Sequence, residues 1–191
     1  MQFDLTYDYL CPFARNANEA VLKGLEDGRD WQVRFRPFSL SQVHVEEGEA
    51  DVFDDPTCSG ILAHHWGIAI RDNDPDHFPA AHVALFAARH DEGLDIKEPD
   101  VITAALEGTG VDTAAIAEIV ASGAPAKTLA VEHRQAVEEW SVFGVPTFIT
   151  ADGIATFVRF MERGLVADID RLLDLIGWQG LNEFKRTRKP R

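Results

Sequence analysis

Cys11 draws attention because of the residues on either side of it. It opens the run Cys11-Pro12-Phe13-Ala14, and from Ala14 onward apolar residues recur at helical spacing through Ala17, Val21 and Leu25. Pro12 suits the first turn of a helix, where its missing N–H would have no partner in any case. Upstream, Phe3, Leu5 and Tyr7 alternate with Asp4, Thr6 and Asp8. That is the period of a strand with one face buried and the other in solvent. The sulfur is therefore expected where a strand hands over to a helix. Free N–H groups and the positive end of the helix dipole converge there and favour an anion. A thiol at such a position is expected to drop from about 8.5 to roughly 3.5–7.5 in pKa, which makes it a nucleophile near neutral pH.

The other chemistry-bearing residues give weaker signals. Cys58, in Thr57-Cys58-Ser59-Gly60, reads as a small, partly buried side chain, with a thiol that resolves adducts on Cys11 as the alternative. The seven histidines show no ligand pattern such as H-E-x-x-H, and the adjacent His64 and His65 point to different helix faces, so no metal site is expected. His133, on a long helical segment, is a candidate to face the sulfur. Arg159 and Arg163 read as solvated or ion-paired, with contact to an anionic substrate as the alternative.

The elements that must position Cys11 follow in order. The first helix is expected over Phe13 to Asp27, stopped by Gly28. Trp31, Val33 and Phe35 alternate with Gln32, Arg34 and Arg36 as a second strand ended by Pro37, which completes a β-α-β unit. Ser39 to Pro56 is polar and acidic and reads as a surface loop. Helical segments follow at Gly60 to Ile70 and His77 to His90, then after Pro99, after Asp112 as a cap, and after Pro125. Strand character returns at Phe143 to Thr150. Asp152-Gly153 separates it from Ile154 to Val158, a hairpin signal. Val166, Ile169, Leu173 and Ile176 line one face of a last helix before Gly177.

Composition bounds the function. The chain has 191 residues, 46% of them hydrophobic, a formal net charge of −14 and a pI near 4.8. Nucleic acid and anionic membranes need a basic surface, so neither is an expected partner. The basic run Lys185 to Arg191 reads as a solvated tail. No apolar run approaches the ~20 residues of a membrane span, and Asp4 and Asp8 near the start argue against a leader. Two cysteines fit a reducing compartment, so a cytoplasmic location is expected.

Strand, Cys-Pro-aromatic-x, then helix resembles the thioredoxin superfamily, in the form found in its DsbA-like branch. That branch includes FrnE-type proteins, 2-hydroxychromene-2-carboxylate isomerases and kappa-class glutathione transferases. Phe143-Gly144-Val145-Pro146-Thr147-Phe148 resembles the family's cis-proline loop. The resemblance implies an α/β thioredoxin-like fold with an all-helical insertion. Residues 1–45 and 141–191 would form the thioredoxin-like domain and 46–140 the insertion. It also implies that Cys11, Pro12, Phe13 and Ala14 form the catalytic turn, and that Val145, Pro146 and Thr147 bind the substrate beside it.

One departure limits the chemistry. Redox members carry C-x-x-C, and here the fourth position is Ala14. In such pairs the second thiol breaks the mixed disulfide from within. Without it, an outside thiol must do so, which suits glutathione or mycothiol. No tightly bound cofactor is expected; the partners would be a thiol or disulfide, protein or small molecule, and a homodimer is left open. The leading expectation is a thiol–disulfide oxidoreductase with a single active-site cysteine. A thiol-dependent isomerase or transferase is the alternative, with Trp66, Phe78, Phe86 and Trp140 offered as an apolar pocket. A non-catalytic module that holds an extended peptide is the third.

Overall fold

The strand at the start of the chain becomes the sheet's centre, and this determines what surrounds Cys11. A computed structural model describes residues 1–178 and residue 180; the basic run at 185–191 lies outside the described residues. The elements are β1 (Gln2–Tyr7), α1 (Pro12–Glu26), β2 (Gln32–Pro37), α2 (Leu40–Val43), α3 (Ile61–Asn73), α4 (Phe78–His90), α5 (Pro99–Ala105), α6 (Thr113–Ala121), α7 (Ala124–Trp140), β3 (Thr147–Thr150), β4 (Ala155–Phe157) and α8 (Val166–Ile176). This is a thioredoxin-like β-α-β and β-β-α core with an all-helical insertion between the halves. The sheet order is β2-β1-β3-β4. β1 runs parallel to β2, with Leu5 opposite Phe35, and antiparallel to β3, with Leu5 opposite Phe148.

The alternation of Asp4, Thr6 and Asp8 predicts a solvent face on β1, and the structure corrects this. Thr6 is 0% exposed and Asp8 1%. A central strand covered by helices buries both rows of side chains, so the polar ones must bond internally. Thr6 Oγ1 accepts the Thr147 N–H at 2.8 Å. Asp8 accepts the N–H of Leu10 at 2.8 Å and that of Leu40 at 2.6 Å.

The segment Ser39 to Pro56 is largely exposed, as a surface loop should be, but it carries the short α2 and is anchored at two buried residues. Ser39 is buried and caps α2 by accepting the Gln42 N–H, and Phe53 is buried beneath Arg134. Within the insertion the capping signals act locally. Pro79, Pro99 and Pro125 sit in the first turns of α4, α5 and α7, and Asp112 accepts the N–H groups of Ala114 and Ala115. Trp66, Phe78 and Phe86 pack into the main core. Trp140 is half-buried under the Arg36 guanidinium, 4.8 Å from its ring centre. The four therefore line no common pocket, because three of them are consumed in joining the insertion to the sheet. Among the described residues, no single helix is long and apolar enough to cross a membrane.

Helix α3 passes over Tyr9 with no room to spare. A Cβ on Gly67 would lie 2.3 Å from the Tyr9 hydroxyl, which is itself bonded to His82 Nδ1 at 2.8 Å. Gly67→Ala should lower the unfolding free energy by about 1–3 kcal/mol, the usual cost of overpacking, read from the urea midpoint.

Candidate active site

Cys11 is the N-cap of α1. Its backbone is extended (φ −96°, ψ 115°), and its Sγ accepts the Ala14 N–H at 3.4 Å. A cysteine thus takes the capping role usually filled by Ser, Thr, Asn or Asp. Its own N–H donates to the Asp8 carbonyl at 3.0 Å, which closes the turn out of β1. Pro12 is exposed in the first helical turn, Phe13 is half-buried and Ala14 is fully buried.

The loop before β3 meets this turn. The thiol donates to the Val145 carbonyl at 3.5 Å, across 134 positions of sequence. The Val145–Pro146 peptide bond is cis. The Pro146 carbonyl accepts the Val158 N–H at 3.1 Å, and Thr147 bonds through its N–H to Thr6 and through its hydroxyl to the Gly144 carbonyl. Regular pairing begins only at Thr147, later than the expected start at Phe143, because Pro146 has no N–H to offer a ladder. The structure therefore brings Cys11, Pro12, Phe13, Ala14, Val145, Pro146 and Thr147 into one place.

The expectation of a lowered thiol pKa is overturned. Burial pushes the Cys11 thiol up, as the residue is only 8% exposed. The N–H groups of Ala14 and Phe13 pull in the other direction, Asp8 adds to the rise, and Arg159 opposes it. The helix N-terminus acts as the sequence suggests, and desolvation outweighs it.

The remaining candidates fall elsewhere. Both cysteines are free thiols. Cys58 packs against a separate small cluster of Phe53, Ile61, Ile68 and Leu129, whereas Cys11 belongs to the main core. His133 accepts the Ser39 N–H at 3.2 Å and stacks on Phe38, and burial lowers its pKa to about 4. It lines a cleft of about 390 Å³ with Phe53, Val142 and Phe143, and none of its hydrogen bonds or ring contacts involves Cys11. Arg163 is committed to Glu19 and Asp91, an arrangement shared with Arg15.

Sequence reading missed Asp8 and the group behind it. His64 Nε2 lies 3.4 Å from Asp8 Oδ2, and both side chains are fully buried. Among the described residues, neither ring nitrogen of His64 nor the Tyr7 hydroxyl makes a hydrogen bond. The position of Asp8 three residues before Cys11 was the available signal, hidden by its apparent place on an exposed strand face.

Residues 2–172 match the DSBA-like thioredoxin domain. Among solved structures, the chain is similar to a 2-hydroxychromene-2-carboxylate isomerase, with 19% identity over 93% of this chain and 95% of that one and a TM-score of 0.67. It is similar also to a probable DsbA oxidoreductase from Streptomyces coelicolor, with 13% identity, 97% and 93% coverage and a TM-score of 0.67. Against Pseudomonas aeruginosa DsbA the values are 19% identity, 92% and 81% coverage and a TM-score of 0.63. At these identities the likeness is one of fold. No curated protein sequence matches significantly.

The direction of the Cys11 shift makes a test. In a Cys58→Ser background, the rate of modification by iodoacetamide should climb with pH to a midpoint above the ordinary ~8.5 of cysteine. The folded protein should react more slowly at pH 7 than the urea-unfolded chain. A raised folded-state pKa stabilises the fold in full below the unfolded value, and that contribution is lost as pH rises through the folded value. Cys11→Ser should keep the cap and most of the stability, whereas Cys11→Ala should cost about 0.5–1 kcal/mol.

Proposed function

Because this chain belongs to the DSBA-like thioredoxin domain family, we propose that it is a thiol–disulfide oxidoreductase with one active-site cysteine, Cys11. The observation that carries the reading is the seat of its sulfur, between the Ala14 N–H and the Val145 carbonyl beside cis Pro146. A sulfur placed there can be approached by a partner laid along the Val145 to Thr147 loop.

The reaction is an exchange. Cys11, having lost its proton to solvent, attacks one sulfur of a disulfide R–S–S–R. The S–S bond breaks, one RS⁻ leaves and takes up a proton, and a Cys11–S–S–R adduct remains. With Ala14 at the fourth position, a second thiolate from solution attacks the adduct. It releases Cys11 as a thiolate, which takes up a proton from solvent, and carries away the new disulfide. The Ala14 and Phe13 N–H groups hold the sulfur anion each time it forms, and Val145 orients the partner. Glutathione or mycothiol supplies the second thiol in this reading, and a reducing compartment such as the cytoplasm supplies both.

A second reading is favoured by the raised thiol pKa. A protonated Cys11 at the start of α1 can donate to the thiolate of a bound small thiol, which then attacks an electrophile. That is an isomerase or transferase use of the same site.

The separating experiment is turnover of insulin disulfides with glutathione as reductant, followed by intact mass spectrometry. The expected outcome is catalysis above background, a single glutathione adduct on Cys11, and loss of both in Cys11→Ser. Stabilisation by glutathione without adduct or turnover would move the assignment to the second reading. Binding of unfolded peptide alone would leave a docking module.

A further inference from the structure

Arg159 and Arg163 follow the same hairpin, and their surroundings set them apart. Arg163 is held by Glu19 and Asp91. Arg159 forms no ion pair or hydrogen bond among the described residues. Its guanidinium lies over the Phe13 ring at 5.3 Å and over the Phe157 ring at 5.6 Å. Phe13 belongs to the Cys11 turn, and Phe157 packs against the largely exposed Phe143 at 5.0 Å. The cation therefore stands on an aromatic rim that includes a residue of the Cys11 turn.

The backbone on each side of Arg159 is fixed. The Val158 N–H donates to the Pro146 carbonyl at 3.1 Å. Asn16 Nδ2, on α1, donates to the Phe160 carbonyl at 2.8 Å. The residue between them is thus pinned at the junction of the cis-proline loop and the catalytic helix. Its contact with the Phe13 ring holds the guanidinium against one residue of the Cys11 turn, and its charge favours the Cys11 thiolate. On a chain with 32 acidic and 18 basic residues, an arginine with no acid partner beside the nucleophile is out of keeping with its surroundings. Guanidinium is matched in shape and charge to a carboxylate.

The geometry points to Arg159 as the specificity-determining residue, recognising a carboxylate on the incoming small thiol or disulfide and drawing such substrates to Cys11 in preference to neutral ones. This deepens the proposed function and rests on Cys11 being the exchanging sulfur. It also chooses between the two thiols considered: glutathione carries carboxylates, whereas mycothiol, a sugar conjugate, carries none.

The test uses the full chain in a Cys58→Ser background and two disulfides of similar size. One is bis(2-carboxyethyl) disulfide, which is anionic; the other is bis(2-hydroxyethyl) disulfide, which is neutral. The readout is the rate of Cys11 adduct formation by intact mass at low ionic strength. Arg159→Gln should lower the anionic-to-neutral rate ratio by about three- to tenfold, Arg159→Lys should retain most of it, and the difference should shrink in high salt. The neutral rate should fall as well, but by less, because the Arg159 cation also favours the Cys11 thiolate and that effect is common to both disulfides. An unchanged ratio in Arg159→Gln, with Cys11 still reactive toward the neutral disulfide, would overturn the role of Arg159 and leave the exchange reading intact. A Cys11 that reacts with neither disulfide would overturn both.

Discussion

The bond from the Cys11 thiol to the Val145 carbonyl joins the turn after β1 to the loop before β3, across the two halves of the molecule. It depends on sheet order. β3 lies beside β1, so the loop before β3 and the turn after β1 emerge at the same end of the sheet. The Thr6 hydroxyl then fastens the Thr147 N–H, and the Pro146 carbonyl fastens Val158. A sulfur cap on a helix is a weak interaction. Here rigid strands on both sides hold it in place.

Two opposing fields act on that sulfur. Helix N–H groups and the Arg159 cation favour the anion, while burial and the Asp8 carboxylate favour the thiol. Burial has the larger effect. A resting thiol does not preclude nucleophilic chemistry. Intrinsic nucleophilicity rises with thiol pKa, so the smaller thiolate fraction is partly offset by a more reactive anion.

Asp8 shows how much the insertion contributes to the site. Its carboxylate binds the N–H groups of Leu10 and Leu40 and lies beside His64 of α3. One buried side chain thus ties the Cys11 turn to the start of α2 and lies against the first insertion helix. Separately, the Tyr9 hydroxyl bonds His82 of α4 and His82 bonds Asn18 of α1, and burial lowers the pKa of His82 to about 3. The helical block is therefore joined to the thioredoxin-like half through polar groups as well as through the apolar core, and such groups tolerate few alternative packings.

Local sequence determined the elements and the place of the sulfur. The helix faces, the prolines in first turns, the Asp112 cap and the run into Cys11 are all near-neighbour effects, and Val166 to Ile176 carries its own amphipathic period. The two halves of the site could be proposed as partners only through family resemblance, since no local rule connects Cys11 to Pro146. What tertiary structure alone decided was environment. Thr6 and Asp8 alternate as an exposed face would, and they are buried because β1 became a central strand. The Cys11 pKa rose because desolvation depends on everything packed around the sulfur. Arg159 and Arg163 follow one hairpin, yet one lies over the Phe13 and Phe157 rings and the other pairs with Glu19 and Asp91. Burial and electrostatics are sums over neighbours distant in the chain, and a linear pattern does not contain those neighbours.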